Sequence, residues 1–190
     1  MAGPQSELRR RLRYTRLLTA LIAAAVLMIG GSIGYFLNSR TVSTQTAVPS
    51  WRVWREVQTQ ARTAGLDPGF VYAIIWAESS LRPQAETSVA RGMMQLTEGA
   101  WTTVSNRPYW QAWDWRVNIA VGIDYLAYCR NRLEANDQFS YPLLAASFRF
   151  GPTHVSSNGY DLNRIRQPDN PIYVALFAGD LRPVEPSRRR

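Results

Sequence analysis

The apolar positions of this chain form one long uninterrupted run and then a series of helical repeats. Residues 17–39 carry no charge, and their apolar core, Leu17–Leu37, is 21 residues long. As a helix that core measures about 31 Å, close to the thickness of a bilayer interior. Asn38–Ser50 is polar, rich in Ser and Thr and without period, which reads as a linker. From Trp51 the spacing turns helical. Val53, Val57, Ala61 and Ala64 share one face of a first helix, and Gly65 is a natural stop. Asp67-Pro68 reads as an N-cap and first-turn proline that open a second helix over 68–79. Further helices are predicted over 93–104, 116–135 and 141–150, the last closing at Gly151-Pro152, with a short one over 171–178. The helix over 116–135 is apolar on two sides, which predicts a central place for it. Little of the sequence alternates with strand period, so the expected fold is mainly α.

Charge orients the long run. The net charge is +8 and every basic residue is an arginine. Arg9, Arg10, Arg11, Arg13 and Arg16 precede the run, while Arg40 alone follows closely. The run is longer than a secretory signal core, and Gly34-Tyr35-Phe36-Leu37-Asn38 makes a poor cleavage site. The expectation is a cytoplasmic basic segment (1–16), an uncleaved single-pass anchor in the inner membrane (17–37) and a linker (38–50). Residues 51–180 then form an extracytoplasmic domain, with a basic tail at 181–190. Acids and arginines balance within 41–187, so the high pI comes from the ends and argues against a nucleic-acid partner. Without lysine there is neither a Schiff base nor a Walker loop. One histidine, His154, and one cysteine, Cys129, leave no zinc cluster and no disulfide.

The chemistry concentrates in Ile74–Leu96. Glu78 closes the second helix, at spacings of 7, 4 and 3 from Val71, Ile74 and Ile75. It therefore lies on the apolar stripe rather than the wet face. A carboxyl beside aliphatic carbon resists ionising and can hold a proton for a glycosidic oxygen. A polar loop follows, then Gly92-Met93-Met94-Gln95-Leu96. Gly92 either admits a sugar to the backbone or makes a simple turn. Gln95 offers an amide to an N-acetyl or hydroxyl group, or caps a helix. Ser79 either bonds near the acid or ends the helix, and Met93 and Met94 line a cleft or pack a core. Trp101, Trp110, Trp113 and Trp115 are available to stack on sugars or to fill a core.

In order along the chain, these segments resemble the soluble lytic transglycosylase family, whose domain is similar to goose-type lysozyme. Glu78-Ser79, Pro83, Ala85 and Gly92-Met93-Met94-Gln95 match its Glu-Ser, loop and Gly-Leu-Met-Gln. Asn118-Ile119, Gly122, Tyr125-Leu126, Gly151-Pro152 and Tyr173-Val174 match its later segments. The resemblance covers about 51–177. It implies a lysozyme-like helical domain behind the one N-terminal transmembrane helix, acting on peptidoglycan glycan strands without metal or other cofactor. By it Glu78 is the single acid/base for cleavage at MurNAc C1 with closure of a 1,6-anhydro ring. Ser79, Gly92, Met94, Gln95, Arg149 and Tyr173 become the substrate-side residues. A nucleophile supplied by the substrate removes the need for a second carboxylate, which ordinary glycosidases place about 5–9.5 Å away. Glu86, Glu98 and Asp114 are the candidates if one exists.

The chain departs from the family on one side. Phe148 and Arg149 replace a Tyr-Asn, Val89-Ala90 replaces a Gly-Ala, and the loop from Glu78 to Gln95 is one residue shorter. Arg149 is suited to a lactyl or stem-peptide carboxylate, or to an acid of the protein. Three functions stay open: a transglycosylase serving an envelope-spanning secretion or conjugation machine, a hydrolysing muramidase, and a non-catalytic peptidoglycan-binding scaffold.

Overall fold

The computed structural model describes residues 47–186. The chain divides into two units, Met1–Thr44 and Gln45–Arg190. The expected basic segment, the anchor at 17–37 and most of the linker lie outside the described residues, as do the last four arginine-rich positions. No helix among the described residues is long and apolar enough to cross a membrane.

Helix α1, Ser50–Thr63, buries Val53, Val57 and Ala61 at four-residue intervals. Gly65 ends it with a positive φ of 67°. Helix α2, Pro68–Ser79, starts where the Asp67 carboxylate accepts the N–H groups of Gly69 and Phe70. Those are the donors that a helix start leaves orphaned. Every residue from Gly69 to Ile75 is buried. The apolar stripe expected here is thus a helix enclosed on all sides, and α2 shares the centre that periodicity assigned to the helix over 116–135. That helix, α4 (Trp115–Glu134), is capped by Asp114 and buries nine residues from Asn118 to Leu133.

Between them the expectation of a helix over 93–104 fails in its first half. Gly92 and Gln95 both take positive φ, 82° and 48°, which no helix tolerates. Ala90–Arg91 (β1) and Leu96–Thr97 (β2) instead form a small antiparallel hairpin, with Ala90 opposite Thr97 and Arg91 opposite Leu96. Helix α3 then occupies only Glu98–Val104, capped by the Thr97 hydroxyl. A 3-10 turn over Tyr109–Trp113 leads to α4.

Helix α5, Tyr141–Phe150, stops at Gly151, whose φ of 89° turns the chain into α6, Pro152–Ser157. Periodicity over so short a stretch left α6 unpredicted. Helix α7, Pro171–Phe177, buries Tyr173, Leu176 and Phe177.

Residues on either side of 51–180 also pack on the core. The N–H of Val48 donates to the Leu81 carbonyl at 3.0 Å, and Val48 packs on the core. Leu181 and Val184 also pack there, and Arg182 reaches Asp67 at 2.7 Å.

Candidate active site

Glu78 stands on the last turn of α2 with its side chain only 7% exposed. One carboxyl oxygen, Oε1, accepts the Tyr173 hydroxyl at 2.5 Å. The other, Oε2, meets a guanidinium nitrogen of Arg149 at 3.4 Å. Burial raises the proton affinity of Glu78 above that of a free glutamate. The Tyr173 hydrogen bond and the Arg149 charge oppose that rise without cancelling it. Tyr173 is buried against this carboxylate, and both effects push its own pKa well up. It stays a donor, and a proton held by Glu78 therefore belongs on Oε2.

Asn170 brings these groups together. Its side-chain oxygen caps α7 through the Ile172 N–H, and its amide donates to the Ala77 carbonyl at 3.1 Å. The residue that starts the tyrosine helix thus satisfies a free carbonyl in the last turn of the acid helix. Sequence reasoning missed this tie. The short helix over 171–178 is expected, but the sequence does not single out Asn170, and nothing local points to a partner 93 positions away.

Glu78 opens into a cavity of about 510 Å³. Ala77, Val89, Ala90 and Gln95 line it on one side, and Tyr125, Phe148, Arg149 and Gly151 on the other. Among the described residues Glu78 is the one carboxylate in that lining. Glu86 and Glu98 sit in a neighbouring depression with Arg91 and Tyr109. Asp114 spends its carboxylate on the N–H groups that open α4.

The loop wall is held from behind. Asn118 is fully buried; its oxygen accepts the Met94 N–H at 2.7 Å and its amide donates to the Arg91 carbonyl at 3.1 Å. The Gln95 amide donates to the carbonyls of Ala85 and Gly92 at 2.8 and 2.9 Å. Its donors are spent inside the loop, which leaves the side-chain oxygen as the group it can offer a ligand.

Three of the expected substrate-side residues have other partners. A Cβ on Gly92 would overlap the Asn118 amide and the Ala112 carbonyl, so this glycine lets those protein groups come close to its backbone. Met94 is fully buried, with its sulfur in the space that Gly122 leaves on α4. Ser79 is buried and its hydroxyl donates back to the Ile75 carbonyl. None of the four tryptophans lines the cavity. Trp101 is core, and its indole N–H donates to the Arg107 carbonyl. The guanidinium groups of Arg91 and Arg116 lie over the rings of Trp113 and Trp115, and Trp110 is exposed elsewhere.

A helical body with one shielded carboxyl opening into a cavity is a candidate site for acid–base chemistry. The sequence profile of the transglycosylase SLT domain matches residues 55–163, more than half of the chain. The chain belongs to that family. The matched stretch contains Glu78, Gln95 and Arg149, whereas Asn170 and Tyr173 fall beyond it. Among solved structures, the chain is similar to an inactive mutant of the lytic transglycosylase Slt from Pseudomonas aeruginosa. The identity is 22% and the TM-score 0.50; the likeness covers 65% of this chain and 20% of that one. It supports the mainly helical, lysozyme-like fold, and the chain spans about a fifth of that larger protein. A comparison with curated proteins finds no match.

Proposed function

We propose that this protein is a peptidoglycan lytic transglycosylase in which Glu78 is the single acid and base. The observation that carries this reading is a buried carboxyl, fixed by Tyr173, in a cavity whose described lining offers no second carboxylate. Protonated Glu78 gives its proton to the oxygen leaving MurNAc C1 as that bond breaks. The resulting carboxylate takes the proton of the same sugar's C6 hydroxyl, whose oxygen bonds to C1 and closes the 1,6-anhydro ring. Glu78 ends the cycle protonated, so no water and no cofactor enter the balance. Tyr173 keeps Oε1 occupied, and the reacting proton stays on the Arg149 side. The side-chain oxygen of Gln95 accepts an N–H or hydroxyl of the sugar.

The proposal extends to location. The apolar run 17–37 and the arginines before it support a single-pass anchor with a cytoplasmic N-terminus. The catalytic domain then sits outside the membrane, close to its surface, where an envelope-spanning secretion or conjugation machine needs glycan opened.

The test is mass spectrometry of the products from purified peptidoglycan. Anhydro ends are expected from the wild type and none from Glu78→Gln. Reducing ends would make the protein a hydrolysing muramidase. Binding without cleavage would make it a scaffold.

A further inference from the structure

Arg149 contradicts the chemistry around it. It is one of the residues by which this chain departs from its family, and it lies against the oxygen that must carry the catalytic proton. Its contact there is long, 3.4 Å, and uses one nitrogen. The guanidinium lies over the Tyr173 ring at 5.5 Å and is otherwise free of protein partners among the described residues, with 45% of the side chain exposed in the cavity. An arginine has five N–H donors in a planar fork suited to bidentate capture of a carboxylate. This one spends a single donor on a geometry that is not bidentate.

The charged groups facing Glu78 are few. Arg149 comes from α5 and the Tyr173 hydroxyl from α7, while Tyr125 of α4 completes the titratable lining. Arg149 is therefore the one positive charge in the described lining of the cavity, and its position favours the ionised acid, the form that cannot donate.

Resting on the transglycosylase reading, we propose that Arg149 is a specificity and positioning residue that leaves Glu78 for a carboxylate of the incoming glycan. Bidentate pairing with a lactyl or stem-peptide carboxylate draws the guanidinium off Oε2. The acid then takes up the proton that cleavage needs. Glycan carrying a carboxylate switches its own catalyst on, and neutral glycan leaves Arg149 in place.

Three glycans test this: peptide-bearing strands, peptide-free strands with free lactyl carboxylates, and peptide-free strands with those carboxylates methyl-esterified. Wild-type kcat/KM is expected to be at least ~10-fold higher on a carboxylate-bearing strand than on the esterified one, and Arg149→Gln to lose most of that ratio. A preference for peptide-free over esterified strands assigns the lactyl group. A preference confined to peptide-bearing strands assigns the stem.

The pH profiles separate a switch from a merely structural role. In Arg149→Gln the basic limb of kcat/KM, which reports the free enzyme, should move to higher pH. The basic limb of kcat, which reports the complex, should stay where it is. Equal wild-type rates on all three glycans, or equal shifts of both limbs, overturn the proposal.

Should the wild type cleave nothing, the transglycosylase reading fails and binding still decides this one. Glu78→Gln, which frees Arg149, should bind free-carboxylate strands more tightly than the wild type does and esterified strands equally. Indifference of both proteins to esterification overturns it.

Discussion

The two sets of contacts that flank Glu78 are built on opposite terms. On the α2–α7 side the groups that hold the acid are shielded and bonded to one another. Tyr173 holds the carboxyl, and Asn170 ties the two helices end to end. On the α5 side Arg149 hangs half in solvent by one long contact, and Phe148 stands edge-on to Tyr125 at 5.9 Å. The first side shields a proton from water, which needs rigidity and low polarity. The second meets whatever enters, which needs free donors. On the proposed function, the first is the side of the chemistry and the second the side of the substrate.

The change that most sharply breaks this contrast is Glu78→Gln. An acid of this kind contributes about 10²–10⁴-fold, and with no second carboxylate in the described lining the loss should lie at the upper end, ~10³-fold or more in kcat. Stability should move the other way. Burial raises the Glu78 pKa above its unfolded value, so the fold keeps its full stability below the unfolded pKa and loses part of it as pH rises through the folded one. The wild-type urea midpoint should fall as pH rises through the Glu78 titration, while that of Glu78→Gln stays flat. A midpoint for Glu78→Gln below the wild type at pH 8 would contradict the desolvated acid.

The next largest effect belongs to the loop wall. Gly92→Ala adds a methyl at φ 82°, directly into the Asn118 amide and the Ala112 carbonyl. Strained backbone together with a buried overlap should cost ~3 kcal/mol or more, read as a lowered denaturation midpoint. If Gly92 were instead a site of sugar approach, Gly92→Ala would keep its stability and lose only KM.

Tyr173→Phe is milder and probes the shielded side alone. It removes the hydrogen bond that holds Oε1 and leaves a buried carboxyl oxygen without its donor. That bond lowers the Glu78 pKa, so its loss should move the basic limb of kcat upward. The rate at the optimum should drop ~10–100-fold as the acid loses its fixed orientation. An unshifted limb would mean that the hydroxyl positions substrate instead.

The difference between the two sides also decided what could be read in advance. Glu78 was legible because its setting is local: Val71, Ile74 and Ile75 precede it on one helix, and a short helical spacing suffices to place it among them. The Asp67 cap was legible for the same reason, as Asp67-Pro68 carries its own signal. The stretch 93–97 was misread as helix because Met93, Met94 and Leu96 are apolar at compatible spacing. What fixes that stretch is Asn118, reaching Met94 and Arg91 across 24 and 27 positions. The sequence leaves Gly92 between sugar approach and a turn, and Met94 between cleft and core, because Asn118 and Gly122, which stand behind them, give no local signal. Long-range polar ties leave no periodic trace, and this cleft wall is made of them.

The smallest expected effect lies at the far end of the acid helix and checks whether the shielded side acts as one rigid unit. Asp67 caps α2 through the Gly69 and Phe70 N–H groups and meets Arg182. Burial alone would raise its pKa, but the Arg182 hydrogen bond and the two N–H groups outweigh it and hold the carboxyl below the usual range. Arg182 is mostly exposed, so the cap rather than the ion pair should dominate. Asp67→Ala should cost about 1 kcal/mol, and Asp67→Asn a few tenths. The sign with pH is opposite to that of Glu78. Asp67 stabilises the fold above its unfolded pKa and loses that contribution as pH falls through its depressed folded value. The stability gap between wild type and Asp67→Ala should therefore close on acidification below the carboxylate range. At pH 7, kcat should be unchanged in both variants, because Ala77, Asn170 and Tyr173 lock the catalytic end of α2 independently of its start. A fall in kcat matching the loss of stability would show instead that the acid depends on the whole length of the helix.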